Sequence, residues 1–439
     1  MKKSKNILLM ILIVAFALLL WSCDKNNRTP INVCIDGDIE NGVAFVDLNA
    51  FNTQNVPLKS ILKKVTPLSD DFDVLITPVF GNSTLLTARE LDGTSISTSA
   101  DGKYRIDNIS EITVVSKIDT KKGVKILTMD STLEMGRGTA KMKLYSQIDD
   151  TNEYKQIATK TSEFLVADKI VAYFKDYDMQ KNVDDKLLSW KQGSLILDEK
   201  PVYGFASGTD VTLMDFYEKM KDCVDNNKKV MFILPDGFSL EQSKAFGDDL
   251  SVLSFDKASG VSLSVNRAIS PVALATIVTG KSPYQTGVHF DENQMRSILK
   301  PNATDIFEYA TSQGKSVAYL EGSGNLIITS VGATYGLTDR ITYENAVKAI
   351  SQDKDLIFVH FHKIDDENHR NGPLSESAKT KCVEIDYYIN SLIAQFNGTI
   401  IIVSDHGHNT VYDSRNNPQG KHGSFTNLDM YIPYFIYEK

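Results

Sequence analysis

The feature that most constrains this chain is a set of apolar runs in its second half, each too short for a free-standing helix. Residues 230–234, 316–320, 356–361 and 399–403 are dominated by Val, Ile, Leu and Phe. Runs of that length, apolar at nearly every position (Ser316, His360 and Thr399 are the exceptions), read as strands buried on both faces. Helical patterns fall between them. Residues 212–226 are amphipathic, a helix beginning near 273 stops at Gly280, and a long one over 377–396 is closed by Gly398. A last strand-like run covers 430–437. Buried strands alternating with helices predict an α/β fold, a mostly parallel sheet with helices on both faces. In such sheets ligands bind beyond the carboxyl ends of the strands. Asp236, Asp365 and Asp405 each fall at or just past the end of one of these runs.

The first half has another texture. Short β-type runs at 43–48, 72–79, 110–118, 124–129 and 141–147 alternate with turn residues, including Asp92-Gly93 and Asp101-Gly102. A helical stripe is first sustained at about 165–178. This part contains no histidine. It is expected to be a β-rich accessory region over 36–205, serving as a spacer or binding module. The Gly-, Pro- and Ser-rich stretch 201–209 marks the boundary, leaving 206–439 as the α/β domain. A length of 439 residues suits two to three such units.

The N-terminus reads as an export signal. Lys2, Lys3 and Lys5 precede an unbroken apolar run from 7 to 21, too short to span a bilayer and the right length for a signal core. Ser22-Cys23 follows directly and resembles a bacterial lipoprotein cleavage site, although Trp21 is larger than is usual there. Residues 1–23 are then the signal peptide, Cys23 the lipidated first residue and 24–35 a tether. An ordinary signal peptide or a short anchor helix is the alternative. The lipoprotein reading predicts an exported chain, anchored to a membrane and facing the periplasm or cell surface. Net charge is −9 and no basic stretch is present, which argues against a nucleic-acid partner. Beyond Cys23, only Cys34, Cys223 and Cys382 remain, at spacings that make no metal motif.

All seven histidines lie between 289 and 422. Four short stretches in the same half of the chain strengthen that sign of a site. Pro235-Asp236-Gly237 follows the first buried strand. Ser270-Pro271 stands ten residues before the Gly of Thr279-Gly280. Asp365-x-x-x-His369 is followed by Gly372-Pro373. Asp405-His406-Gly407 precedes His422-Gly423. In this order the elements resemble the alkaline phosphatase superfamily, and within it the type I phosphodiesterase/nucleotide pyrophosphatase branch, over roughly residues 228–439.

The resemblance implies two divalent metal ions, zinc by preference. Asp365, His369 and His422 would hold one, and Asp236, Asp405 and His406, with Ser270, the other. Two divalent ions against three aspartates leave a charge of about +1, suited to a phosphoryl anion. It also implies Ser270 as nucleophile, placed as the N-cap of a helix that starts at Pro271, and double displacement through a phosphoseryl intermediate. Thr276 is the competing hydroxyl, expected to pack or to bond its own helix. Asn266, Arg267 and Lys281 flank this segment as weaker candidates for binding a phosphate-ester substrate. His289, His360, His362 and His408 read as packing or supporting residues, and Asp366 and Glu367 as solvated. Mono-, di- and pyrophosphate esters and phosphonates all remain open. A sulfatase shares the fold, but Val272 and Leu274 stand where its modification motif has Pro and Arg. Metal-dependent phosphoglycerate mutases need a large insertion that the 280–365 interval has little room for. A non-catalytic surface-binding lipoprotein is the rival from another class.

Overall fold

A computed structural model describes residues 31–439, apart from 38, 41–42, 79–83, 99–103, 117–122, 128–131, 136–142, 146–162, 167–170, 184–186, 192–193, 208, 290–297, 323, 325, 414 and 416. The signal peptide, Cys23 and most of the tether lie outside the described residues.

The second half is a seven-stranded sheet. Its order is Gly260–Leu263, Tyr431–Glu438, Thr399–Val403, Val230–Pro235, Leu356–Phe361, Val317–Glu321, Thr334–Tyr335. All neighbours from Thr399–Val403 to Thr334–Tyr335 pair in parallel, and only Tyr431–Glu438 runs antiparallel to its neighbours. The continuous apolar runs follow from burial on both faces. Val230, Phe232 and Leu234 enter one core layer with Phe358 and Ile401, while Met231 and Ile233 enter the other with Ile357, Val359 and Ile400. Period-2 alternation thus supplies two cores from one strand.

Helices cover both layers. Glu376–Gln395 lies on the second, placing Cys382, Ile385, Ile389 and Leu392 in its core. Ser270–Thr279 lies within the first and is apolar nearly all round because it is buried nearly all round. Gly280 closes it with a left-handed backbone (φ 67°), its N–H donating to Thr276 O at 2.8 Å. A Cβ at Gly280 would meet the Tyr217 side chain at 2.9 Å, so conformation and space both require glycine.

The first half is β-rich. One five-stranded sheet runs Val43–Asp47, Asn32–Gly37, Ile109–Ser116, Phe72–Pro78, Thr84–Leu86, with its own apolar core. A larger sheet follows, in which Val171–Phe174 pairs with Met179–Lys181 and with Lys200–Ser207. The helical stripe expected at 165–178 is not formed. Glu163–Val166 and Val171–Phe174 are strands, and the antiparallel ladders of the first with Leu187–Lys191 and of the second with Lys200–Ser207 override the local spacing. Val171, Tyr173, Met179 and Ala206 pack into the first core layer of the α/β sheet, and Tyr173 donates its hydroxyl proton to Ser264 O at 2.8 Å. Cys34, Cys223 and Cys382 are buried thiols, with no disulfide among the described residues.

Candidate metal centre

The carboxyl ends of the central strands converge on one polar nest. Asp236 follows Val230–Pro235 directly, and its N–H continues the parallel ladder to Phe361 O at 2.9 Å. Gly237 turns the chain away with φ 68°, and a Cβ there would lie 2.6 Å from His408 Cε1. Only glycine lets this backbone pass so close to the surrounding ligands. Asp405 and His406 follow Thr399–Val403. Asp405 Oδ1 accepts from the N–H groups of Gly237 and His406, both at 3.0 Å, which fixes the carboxylate and leaves Oδ2 for another partner.

The helix Lys363–Asn371 presents Asp365 and His369 one turn apart on the same face. His422 follows the short Pro418–Lys421 strand, which pairs with Asn409–Tyr412. The imidazole tautomers are set by backbone carbonyls. His369 Nδ1 donates to Gly420 O, His406 Nδ1 to Gly407 O and His422 Nδ1 to Ala268 O, each at 3.0 Å. Each Nε2 is left as a lone pair pointing into the nest, the form in which histidine ligates metals.

Two sets of donors result. Asp365, His369, His408 and His422 form one. Asp365 Oδ2 is 3.4 Å from His369 Nε2, Asp365 Oδ1 is 3.1 Å from His408 Nε2, and the Nε2 atoms of His369 and His422 are 3.1 Å apart. Asp236, Asp405 and His406 form the other, with His406 Nε2 at 3.3 Å from Asp405 Oδ2 and 3.6 Å from Asp236 Oδ1. The sets adjoin where the His406 and His422 rings stack, centroids 3.9 Å apart. Tetrahedral zinc with bonds of ~2.0–2.1 Å has its donors about 3.3 Å apart, close to every separation above. Asp365 Oδ1, Asp405 Oδ2 and His408 Nε2 are buried and have no hydrogen-bond partner among the described residues. Buried polar atoms without partners are costly unless something else satisfies them. The donor chemistry of these residues fits divalent-cation binding.

The electrostatics agree. Burial raises the Asp236 carboxyl well above its usual range, with the Asp405 and Asp365 charges adding to it. Burial pushes the His422 imidazole down to about 2, with His406 and His408 contributing, and burial likewise lowers His406. Burial is the largest influence on the Asp365 carboxyl and works to raise it, but His408, His406 and His422 together hold the group below the ordinary range. Neutral imidazoles beside crowded carboxylates are what a cation site requires.

Ser270 stands over the second set. Its Oγ is 3.2 Å from Asp236 Oδ1 and 3.2 Å from His406 Nε2. The expected N-cap role is corrected. Ile269 is the N-cap, Ser270 is the first helical residue, and its side chain makes no capping bond because it turns to Asp236 and His406. Thr276 is fully buried, so of the two roles expected for it, it packs and does not bond its own helix. Its Oγ1 has no partner among the described residues, whereas Thr279 Oγ1 donates to Ala275 O at 2.6 Å.

Of the flanking residues, Asn266 is buried and Arg267 exposed. Lys281 lies past the opposite end of the Ser270–Thr279 helix, roughly 15 Å away at 1.5 Å per residue, and is not brought to the nest. Asp366 pairs with Lys363, and Glu367 accepts from Asn371 Nδ2, as solvated residues do. His289 stacks on Tyr177, centroids 4.9 Å apart, and joins neither set. Sequence reasoning missed His408, which belongs to the first set, and the involvement of His360, His362 and Glu321 beside Asp236. The clustering of histidines was the one sign that could have found the three histidines, and it does not reach Glu321.

Asp/His sets thus stand at the carboxyl edge of a largely parallel sheet. Residues 216–427 match the family model of the BREX system PglZ alkaline phosphatase-like domain, which supports an alkaline phosphatase-like fold for this part of the chain. No curated protein matches the sequence. Among solved structures, murine ectonucleotide pyrophosphatase/phosphodiesterase 5 in complex with AMP is 16% identical over 43% of this chain, with a TM-score of 0.32. Phosphonoacetate hydrolase from Sinorhizobium meliloti 1021 in complex with phosphonoformate is 13% identical over 44%, with a TM-score of 0.35. The chain spans 59% of the length of each.

Proposed function

We propose that the α/β domain, residues 206–439, is a two-metal phosphohydrolase acting through a phosphoseryl intermediate. The observation that supports this best is the position of Ser270 Oγ, 3.2 Å from both Asp236 Oδ1 and His406 Nε2, at the buried N-terminus of a ten-residue helix. Asp365, His369, His408 and His422 would hold one divalent cation, and Asp236, Asp405 and His406 the other, with zinc suited to these mixed imidazole and carboxylate sets. When bound, such a pair lowers the pKa of a coordinated hydroxyl or water and polarises phosphoryl oxygens.

The chain's own residues do the rest. Asp236 and His406 fix the oxygen of Ser270, and the positive end of its helix favours an approaching phosphate. Ser270 Oγ attacks phosphorus as the ester oxygen leaves, and water then hydrolyses the phosphoseryl bond. His406 and His422, held neutral by burial, keep their lone pairs in the nest. No side chain is assigned as general base. A diester is the preferred substrate, because the 365–373 stretch matches the phosphodiesterase branch best.

The rest of the proposal concerns placement. The chain is exported, Cys23 carries a lipid that anchors it to a membrane facing the periplasm or cell surface, and the β-rich region acts as spacer or binding module. The test is the full chain with zinc, assayed for kcat/KM on p-nitrophenyl phosphate and on its bis ester, with Ser270→Ala alongside. Turnover that Ser270→Ala abolishes is the expected result. Turnover of neither ester, with no bound metal, would leave a binding protein on a hydrolase scaffold.

A further inference from the structure

His408 and His422 stand at the two open ends of one hairpin. Asn409–Tyr412 and Pro418–Lys421 are antiparallel, with Asn409 opposite Lys421 and Tyr412 opposite Pro418. One step beyond Asn409 and Lys421 come His408 and His422, whose ring centroids lie 5.0 Å apart. A single two-stranded ribbon therefore presents both imidazoles, and its tilt sets both at once. Such a ribbon is marginal in water by itself and takes its orientation from what it packs on. We infer that the N-terminal five-stranded sheet sets that orientation, with Tyr412 and Glu111 as positioning residues for His408 and His422. Only the ligand roles of those two histidines are taken over from the proposed function.

Two contacts carry the coupling. Near the hairpin tip, Tyr412 packs against the apolar core of the five-stranded sheet, and the turn Ile106–Asn108 lies against the Asn409–Tyr412 strand. The Tyr412 hydroxyl is buried and has no hydrogen-bond partner among the described residues, so the ring is the part that docks. At the base, the buried Glu111, on the strand Ile109–Ser116, accepts from the Asn427 N–H at 2.9 Å. Asn427 belongs to the segment that braces the histidines. Its neighbours Thr426 and Asp429 accept from Asn409 Nδ2 at 2.9 and 2.7 Å. The Asp429 carbonyl accepts from the Gly407 N–H at 3.0 Å, and its carboxylate from the Ser424 N–H at 2.7 Å. Gly407 and Asn409 adjoin His408, and Ser424 lies two residues past His422.

The helix Lys363–Asn371 grips the other strand of the hairpin. Gly420 O accepts from His369 Nδ1 at 3.0 Å, and a Cβ on Gly420 would meet Asn368 O at 2.7 Å. The hairpin is thus clasped between the helix that carries Asp365 and His369 and the N-terminal sheet. Tyr412 lies four residues from His408, about 13 Å along a strand. A tilt of ~5° about the Tyr412 end would carry His408 about 1 Å, where a ligand constellation tolerates only ~0.5 Å.

The test is the full chain labelled with carbon-13 in histidine, whose seven imidazole signals report on the rings with and without zinc. Tyr412→Ala and Glu111→Ala should each shift the His408 and His422 signals and leave that of His289 in place. Each should also weaken zinc retention by roughly 10–100-fold in a chelator competition. Tyr412→Phe, which keeps the ring, should behave as the parent. Val74→Ala, which opens a cavity elsewhere in the same core, should lower the melting temperature without moving either signal. Unmoved signals in folded Tyr412→Ala and Glu111→Ala chains would overturn the inference and leave the sheet a spacer. Equal movement in Val74→Ala would overturn it too, since general stability would then be the cause. Should neither alanine chain fold, Tyr412→Leu, which fills part of the same socket, decides by the same signals. Shifted signals in a chain that binds no zinc would uphold the positioning and count against the two-ion reading.

Discussion

Replacing Thr276 by Val tests the nucleophile assignment and the packing together. Thr276 lies six residues beyond Ser270, about 9 Å farther along the helix axis, with its side chain fully buried. Its hydroxyl has no hydrogen-bond partner among the described residues. Valine has the same shape and exchanges the hydroxyl for a methyl. An unsatisfied buried hydroxyl costs ~1–3 kcal/mol, and a buried methyl gains about 0.8 kcal/mol. β-Branching is the same in both residues, so the helix propensity cost is little changed. Thr276→Val should therefore stabilise the chain by ~1–3 kcal/mol. At roughly 2–4 °C per kcal/mol for a domain of this size, the midpoint should rise by several degrees. Thermal and urea unfolding would measure it, beside kcat/KM on the better of the two nitrophenyl esters. Activity should stay within about twofold. Loss of activity in a folded Thr276→Val chain would refute Ser270 as the nucleophile, and a fall in stability would show that the hydroxyl is satisfied after all.

Three further outcomes are expected. Chelation should lower the melting temperature and zinc should restore it, since an ion present at 1,000 times its Kd contributes about 4 kcal/mol; a midpoint indifferent to chelator would end the metal reading. His408→Ala should weaken zinc retention at the Asp365 set by roughly 10–100-fold in a chelator competition, and unaltered retention would return His408 to a packing role. Burial raises the Glu241 carboxyl to about 8, so between its ordinary 4.5 and that value the folded state holds a proton the unfolded state has lost, and stability falls as pH rises. Glu241→Gln should therefore raise the melting temperature clearly above pH 8 and little at pH 5, and an equal effect at both would contradict the shift.

What could be read from the sequence follows the reach of local rules. Asp236, Asp405 and His406 were visible because each stands at the end of a buried strand, where fold geometry alone places ligands. Asp365 and His369 were visible because a four-residue spacing puts both on one helical face. His360 was not. It sits inside an apolar run, and only the register that sets it opposite Leu234 brings it to Asp236. Glu321 ends a strand whose neighbour is known only once the sheet order is known. The strands at Glu163–Val166 and Val171–Phe174 were misread for the same reason, since their partners, Leu187–Lys191 and Lys200–Ser207, are distant in sequence. Ser270 was placed correctly at the start of its helix and wrongly as its cap, because its hydroxyl is claimed by groups distant in sequence.

The sharing of Val171, Tyr173 and Ala206 with the core of the α/β sheet bears on how this protein can be dissected and recombined. A fragment starting near 206 or 228 would carry the ligands and still lack side chains that close its interior. Lys181 ties the same strands to Asp215 at 2.7 Å, so they are anchored to the helix that precedes the first α/β strand. The smallest portable unit therefore begins before Val171. In a fusion or a domain exchange, the Val171–Phe174 and Lys200–Ser207 strands have to travel with the hydrolase.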